Sequence, residues 1–214
     1  MNIVYLGHSS FLLEFSNGTR IVTDPYDGIG YRMPRTRADF VTCSHFHFDH
    51  YYLEGVSGAS RVISAPGSYG CGGVHIEGFA AFHDAVGGKK RGTNTVFVFE
   101  EGGLRVCHMG DIGEPPRSDL IKQIGRPDIL LIPVGGTYTV DAKGAFEYID
   151  AIRPSVSIAM HYCSAGCTLD IAPASAAFAL AKERCVAYPS SRFDSADSGA
   201  YEGKVLFMER VCNG

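Results

Sequence analysis

Ser44-His45-Phe46-His47-Phe48-Asp49-His50 places three imidazoles and one carboxylate within six positions, directly after the apolar run Phe40-Val41-Thr42-Cys43. Neutral imidazole nitrogens and carboxylate oxygens are the donors that zinc-like divalent ions prefer. Side chains of an extended chain alternate, so His45, His47 and Asp49 project to one side and His50 faces elsewhere unless the chain turns. A turn there lets His45 and His47 hold one ion while Asp49 and His50 hold another close by. The bland alternative, four polar residues gathered by chance on a surface loop, has odds below about 1 in 1,000 on composition.

Two ions need more ligands than one hexapeptide supplies, and isolated His and Asp residues stand where they are needed. His83 closes the apolar run Gly78 to Phe82, Asp111 closes Val106 to Gly110, and His161 closes Val156 to Met160. Each falls just past the C-terminal end of a predicted strand, where loop side chains converge on a site in layered α/β folds. A lone histidine is more often structural than ligating, but three groups in the same position of three segments are harder to explain that way. His75, inside a strand-like run, and His108, facing away from Asp111, are read as structural and satisfied by ordinary hydrogen bonds.

The chain has 214 residues, enough to bury a real core. Its 26 glycines and 10 prolines punctuate short runs rich in Val, Ile and Phe, the composition of strands joined by tight turns. Strands are predicted near 2–7, 10–15, 19–24, 38–43, 61–65, 74–82, 93–100, 103–109, 128–133, 155–160 and 204–211, with Asn17-Gly18 a hairpin turn between the second and third. Helices are expected over Ser118 to Ile124, over Asp141 to Ile152 with Asp141 as N-cap, and over Ala172 to Lys182. A run of strands followed by strand and helix in alternation, with no linker or repeat, reads as a single sheet-dominated α/β domain over residues 1–214.

A formal net charge of −4, with Lys89-Lys90-Arg91 the only compact basic run, argues against nucleic-acid binding. No apolar stretch reaches the roughly eighteen residues of a membrane helix, and strand-like sequence from Asn2 onward leaves no room for a signal peptide, so a cytoplasmic location without membrane attachment is expected. Seven cysteines is an odd number, and Cys43, Cys71, Cys107, Cys185 and Cys212 read as small buried hydrophobes. Cys163 and Cys167 lie near His161, but no second Cys or His pair completes a structural zinc knuckle.

Taken in order, Thr23-Asp24-Pro25, the His45 to His50 segment, His83, Gly110-Asp111 and His161 resemble the motifs of the metallo-β-lactamase-fold superfamily of metal-dependent hydrolases over nearly the whole chain. Gly7-His8-Ser9 and Pro133-Val134-Gly135-Gly136 are similar to those of its small, lactonase-like prokaryotic branch, which includes lactonases acting on sugar phosphates. The resemblance implies an αββα four-layer sandwich, two sheets packed together with helices outside and metals at one edge. It implies two divalent ions, zinc foremost with manganese or iron also compatible. His45, His47 and His83 would hold the first, Asp49, His50 and His161 the second, with Asp111 bridging and Asp24 orienting a ligand from behind. Asp111 stands where many secreted β-lactamases carry Cys, which disfavours antibiotic hydrolysis, and His47 stands where flavodiiron proteins carry Glu, which disfavours oxygen reduction.

The chemistry expected of such a centre is hydrolysis by a hydroxide held between the ions, its pKa lowered to about 7 as at zinc in other sites. Asp49 would orient that nucleophile. His8 is a second catalytic candidate, lining the pocket or moving a proton. Arg91, with Lys89 and Lys90 after the flexible Gly87-Gly88, is a candidate grip on an anionic substrate group, and Gly135-Gly136-Thr137-Tyr138 offers backbone N–H groups or the Tyr138 phenol to an oxyanion. The substrate expected is a small anionic ester, lactone or thioester. A phosphodiesterase or nuclease would use the same metal pair, but nuclease relatives usually bring a basic arm or extra domain. A non-catalytic metal-binding protein needs no open coordination position. Sheet edges leave a homo-oligomer open.

Overall fold

The computed structural model describes residues 1–211; Cys212, read above as a buried hydrophobe, lies outside them. The chain opens with β1 (Asn2–Gly7), β2 (Ser10–Glu14) and β3 (Arg20–Thr23), paired antiparallel, and Gly18 at φ +89° makes the turn that Asn17-Gly18 announces. The two-residue strands β4 (Thr36–Arg37) and β6 (Val56–Ser57) pair with each other, while β5 (Phe40–Thr42) and β7 (Arg61–Ile63) extend the first sheet parallel to β3. Next come β8 (Gly67–Cys71), β9 (Val74–Phe82), β10 (Thr93–Glu101) and β11 (Leu104–His108) as an antiparallel meander. From there α1 (Ser118–Ile124), β12 (Ile129–Pro133), α2 (Ala142–Ile152), β13 (Val156–Met160), α3 (Ala174–Leu180), β14 (Cys185–Tyr188), β15 (Arg192–Asp194) and β16 (Val205–Met208) follow. β15 crosses back to pair with β1, giving a six-stranded sheet β15-β1-β2-β3-β5-β7 beside an eight-stranded sheet β14-β16-β13-β12-β11-β10-β9-β8.

The period-two alternation of side chains explains why the sheets stack. Along β10, Phe97 and Phe99 enter the layer between the sheets while Val96 and Val98 join the cluster under the helices. β12 divides Ile129 and Leu131 from Leu130 and Ile132 in the same way. The inter-sheet layer is completed from the first sheet by Ile3, Phe11, Leu13 and Ile21. Strands buried on both faces read as unbroken apolar runs, which is why the parallel part of the second sheet was visible in sequence. α2 buries the face expected of it, Ala145, Tyr148, Ile149 and Ile152, and the Asp141 carboxylate accepts the Gly144 N–H at 2.9 Å.

This is the α/β sandwich that the motifs imply, with one asymmetry. All three α-helices contribute to the cluster on the outer face of the eight-stranded sheet. The outer face of the six-stranded sheet, Val4, Leu6, Leu12 and Val22, is covered by Tyr26, Ile29, Met33 and Ala38 from the long connection between β3 and β5. Five strands fall outside the predicted ranges, among them β4 and β6, which are only two residues long. β8 carries two glycines and is mostly exposed, and β14 and β15 are three or four residues long, too short for an alternation to register. The helix expected from Ala172 begins only at Ala174, after Pro173. Losing the Asp141 cap orphans one helix N–H, so Asp141→Ala should lower the unfolding free energy by about 1 kcal/mol and Asp141→Ser by much less, read from urea midpoints at unchanged slope.

Candidate metal centre

The strand ends deliver the expected residues to one rim of the sandwich. His8, His83 and His161 are the first residues after β1, β9 and β13, Asp111 comes three after β11, and the hexapeptide loop follows β5. The turn required within that loop is present, with the His50 N–H donating to the His47 carbonyl at 3.0 Å. Backbone bonds tie the loops together: His161 N–H donates to the His8 carbonyl at 2.9 Å and Thr95 N–H to that of Ser44 at 2.8 Å.

Three groups of donor atoms result, each within 4.8 Å of one another: His45, His47 and His83; His8, Asp49, His50 and His161; and Asp24 with His45 and His50, which shares a histidine with each of the other two. Asp111 lies between the first two. Its Oδ2 is 3.1 Å from His50 Nε2, 3.3 Å from both His83 Nε2 and His161 Nε2, and 3.9 Å from His45 Nε2. All seven residues named at the sequence level as ligands are therefore brought together. Asp24 sits behind them, fully buried, its Oδ2 accepting from His50 Nδ1 at 2.8 Å and from Ser44 Oγ at 2.6 Å, while Oδ1 accepts the Ser44 N–H at 2.7 Å. Ser44 Oγ in turn lies 2.9 Å from His45 Nδ1, so one carboxylate orients a histidine of each group.

Ser44 and Asn94 are positioning residues that the sequence did not single out. Asn94 accepts the Asp111 N–H at 2.9 Å and donates to the Met109 carbonyl at 2.9 Å. Gly110, at φ +55°, packs so closely on Asn94 and Ser44 that a Cβ would collide with both. His75 is exposed and bonds to Glu77, whereas His108 is buried with both ring nitrogens satisfied, by the Ser9 carbonyl at 2.8 Å and the Gly110 N–H at 3.1 Å.

The cleft above the centre is about 460 Å³ and is lined by Phe46, Phe48, Arg91, Tyr138 and Leu169 together with His47, Asp49, His83 and Asp111. Phe46 and Phe48 stand 67% and 63% exposed at its mouth and give the cleft an apolar rim. Arg91 is held from behind: Asp84 accepts the N–H groups of Val86, Gly88, Lys90 and Arg91 at 2.8 to 3.0 Å, which locks the loop. The guanidinium donates to the Thr137 carbonyl at 2.9 Å and lies over the Tyr138 ring at 5.6 Å. Two expectations change. Lys89 and Lys90 point to solvent and do not line the cleft. His8 does not line it either, because it is fully buried beneath the centre, a poor place from which to exchange protons with water. Gly135 packs against the His161 carbonyl, where a Cβ would collide, so its role is close backbone approach.

The electrostatics suit a cation. Burial lowers His45 to about 3, with His50 adding to the effect, and lowers His8 to about 4, aided by His161; His83 is lowered for the same reason. Burial works against ionised Asp111 and Asp49, but His161 and His50 around Asp111, and His8 and His50 around Asp49, hold both carboxyls well below their ordinary range. His50 is the exception: against the opposing effect of burial, Asp111 and Asp24 raise it. Ionised Asp111 and Asp49 beside the lowered imidazoles of His8, His45 and His83 approach the protonation state that a divalent ion requires.

A fit test comes from atoms left without hydrogen bonds. Asp111 Oδ1, His8 Nδ1 and His161 Nδ1 are buried and have no hydrogen-bond partner, and the Nε2 atoms of His8, His50 and His161 face carboxylate oxygens at 3.1 to 3.3 Å. Each such orphan costs about 1–3 kcal/mol in a protein interior, and a divalent ion among them offsets that cost. Because Asn at position 24 turns one acceptor into a donor facing His50, Asp24→Asn should weaken metal binding about 10- to 100-fold, measured by chelator competition at an unchanged circular dichroism spectrum.

Comparison with known proteins agrees with this geometry. The model of the beta-lactamase superfamily domain matches residues 2–161. A UPF0173 metal-dependent hydrolase of Methanosarcina mazei is 30% identical over 193 residues, covering 76% of this chain and 83% of the relative, and a UPF0173 protein of Pyrococcus furiosus is 29% identical over 190 residues, covering 76% and 83%. Among solved structures, a candidate Zn-dependent hydrolase of the metallo-beta-lactamase superfamily from Thermotoga maritima is 35% identical, with TM-score 0.78 and coverage of 98% of this chain and 99% of that one. With its fold, its buried His/Asp cluster and these relatives, the chain belongs to the beta-lactamase superfamily and is a metal-dependent hydrolase of the metallo-β-lactamase fold.

Proposed function

We propose that the chain hydrolyses a small anionic ester, lactone or thioester at a centre of two divalent ions, one held by His45, His47 and His83, the other by Asp49, His50 and His161, with Asp111 shared. The observation that carries this reading is the position of Asp111 Oδ2, 3.1 to 3.9 Å from histidines of both groups. Zinc is the ion we favour, since imidazole donors dominate and the similar protein of Thermotoga maritima is named for zinc. We further propose a cytoplasmic protein: cysteine usage suits a reducing compartment, and among the described residues no helix is long and apolar enough to cross a membrane.

Bound ions of this kind polarise an acyl oxygen and acidify water toward neutrality. The chain's residues do the rest. Asp49, ionised and lining the cleft, accepts a hydrogen bond from the attacking water at its carboxylate and so orients it. Arg91 has five N–H donors and spends one on Thr137, leaving others for a carboxylate or phosphate on the substrate. Phe46, Phe48 and Leu169 exclude water from the bond under attack and favour an acyl chain over a nucleic-acid backbone.

Asp49→Ala should abolish hydrolysis of lactone and ester substrates with the circular dichroism spectrum unchanged, and dialysis against a strong chelator should do the same reversibly. Turnover retained by either preparation would sink the proposal. Arg91→Glu should raise KM for anionic substrates by on the order of 10- to 100-fold, the worth of one hydrogen bond to a charged group. Steady-state kinetics with an anionic substrate and its neutral analogue separate that effect from a general loss of activity.

A further inference from the structure

One buried histidine has no place in the ligand assignment given so far. We propose that His8 is a fourth side-chain ligand of the inner ion, so that the two metal positions are unequal: an inner one closed by His8, Asp49, His50 and His161, and an outer one, His45, His47 and His83, opening on the cleft. This rests on the two-ion reading above.

The geometry of the inner group supports it. The donor atoms of His8, Asp49, His50 and His161 lie within 4.8 Å of one another and all four residues are buried, whereas the outer group includes the exposed His47. His8 Nε2 faces Asp49 Oδ2 at 3.3 Å, inside the donor cluster, and His8 Nδ1 is buried with no hydrogen-bond partner. His108 is the internal control. It is equally buried and comes from the same rim, but both its nitrogens are satisfied, as a structural histidine's should be.

The backbone is built to aim this ring. His8 adopts φ +53°, a left-handed conformation uncommon outside glycine, though histidine enters it more readily than most side chains. It is held there at both ends. Its N–H donates to the Tyr31 hydroxyl at 3.1 Å, and its carbonyl accepts from the Tyr5 hydroxyl at 3.1 Å and from the His161 N–H at 2.9 Å. The preceding Gly7, at φ +113°, lies where a Cβ would meet the Tyr26 hydroxyl at 2.6 Å, so the chain closes tightly over the site. A side chain whose backbone is clamped by three residues, with its ring 4.3 Å from that of His161, is placed for a directed bond.

Coordination chemistry gives the inequality its consequence. Four side chains plus the shared Asp111 make five donors, one more than the tetrahedral shell of a structural zinc, so the inner position has no need of substrate or solvent. Three imidazoles plus Asp111 give the outer ion four donors, one fewer than the inner ion has, and it faces the cleft, where substrate or solvent can add as a fifth ligand. The inner ion should therefore bind first and leave last.

The test is Co²⁺ loading of metal-free protein, counting hyperfine-shifted imidazole N–H resonances by NMR. At one equivalent the wild type should show three, from His8, His50 and His161, and His8→Gly should show two. His47→Ala, which touches only the outer position, should keep all three. Affinity for the first equivalent, by competition with a coloured chelator, should fall in His8→Gly by more than the roughly 100-fold upper range for loss of an outer partner, and added imidazole should restore it. Asn tolerates the left-handed backbone, so His8→Asn checks that the loss is of ligation and not of fold. An unchanged resonance count in His8→Gly, or a first-equivalent affinity within about tenfold of wild type, which is the low end for an outer partner, overturns the proposal. A wild type that binds only one ion would overturn the two-ion reading instead, and the resonance count in that protein still decides the role of His8.

Discussion

A single carboxylate, Asp111, governs the construction of the rim. It is 1% exposed, and one of its oxygens faces four imidazoles drawn from three separate loops. A charge so placed is tolerable only if every neighbour is held in register, because like-charged or unpaired groups in a low-dielectric interior cost several kcal/mol. The register comes from contacts with no chemical role of their own. Asn94 of β10 takes the Asp111 N–H, Gly110 lets the chain pass between Asn94 and Ser44, and the Ser44 carbonyl takes the Thr95 N–H. Ser44 belongs to the loop leaving the first sheet and Asn94 and Thr95 to the second, so the centre also fixes how the two sheets meet at this edge.

The same constraint explains where backbone strain collects. Among the described residues five non-glycine positions have positive φ: His8, Asp24, Thr137, Arg153 and His161. Three of these carry side chains in the centre, and a fourth supplies the carbonyl that receives Arg91. Arg153 is different, a left-handed C-cap at the end of α2. A strand running straight on would carry the residue after β1 or β13 along the sheet. A left-handed residue at that point turns the side chain inward over the strand end, at a cost of about 1–2 kcal/mol each.

How much of this was legible in the sequence follows from the range of each interaction. The hexapeptide is local, so its composition and spacing were enough. His83, Asp111 and His161 were found because a strand end is itself a local signal, an apolar run closing on a polar residue. Asp141 as a helix cap was readable for the same reason. Ser44 and Asn94 were not, since a serine and an asparagine gain their roles only from partners 17 to 20 residues distant. The loop over the first sheet was invisible because Tyr26, Ile29 and Met33 follow no helix or strand period. Arg91 was noticed as a charge, but what makes it useful is Asp84 gathering four N–H groups into one turn, and that arrangement has no signature in composition. His8 was noticed as well and misplaced, because one-dimensional position cannot show which side of a centre a ring approaches from.

Placing so many buried polar groups in one region would be ruinous in the middle of a sheet, yet here the cost is confined. The β9–β10 ladder ends at Phe82 and the β12–β13 ladder at Met160, each one residue short of a ligand. The inter-sheet core of Phe97, Phe99, Leu131 and Ile158 is apolar throughout. Loss of metal therefore strains the loops first and the sheets little, so that rim opening and global unfolding belong to different ranges of free energy. The separation also works in the other direction. A rigid sandwich fixes the origins of five strand-end loops, and the imidazoles can then be held within the small tolerance that coordination demands without any one loop being stable alone.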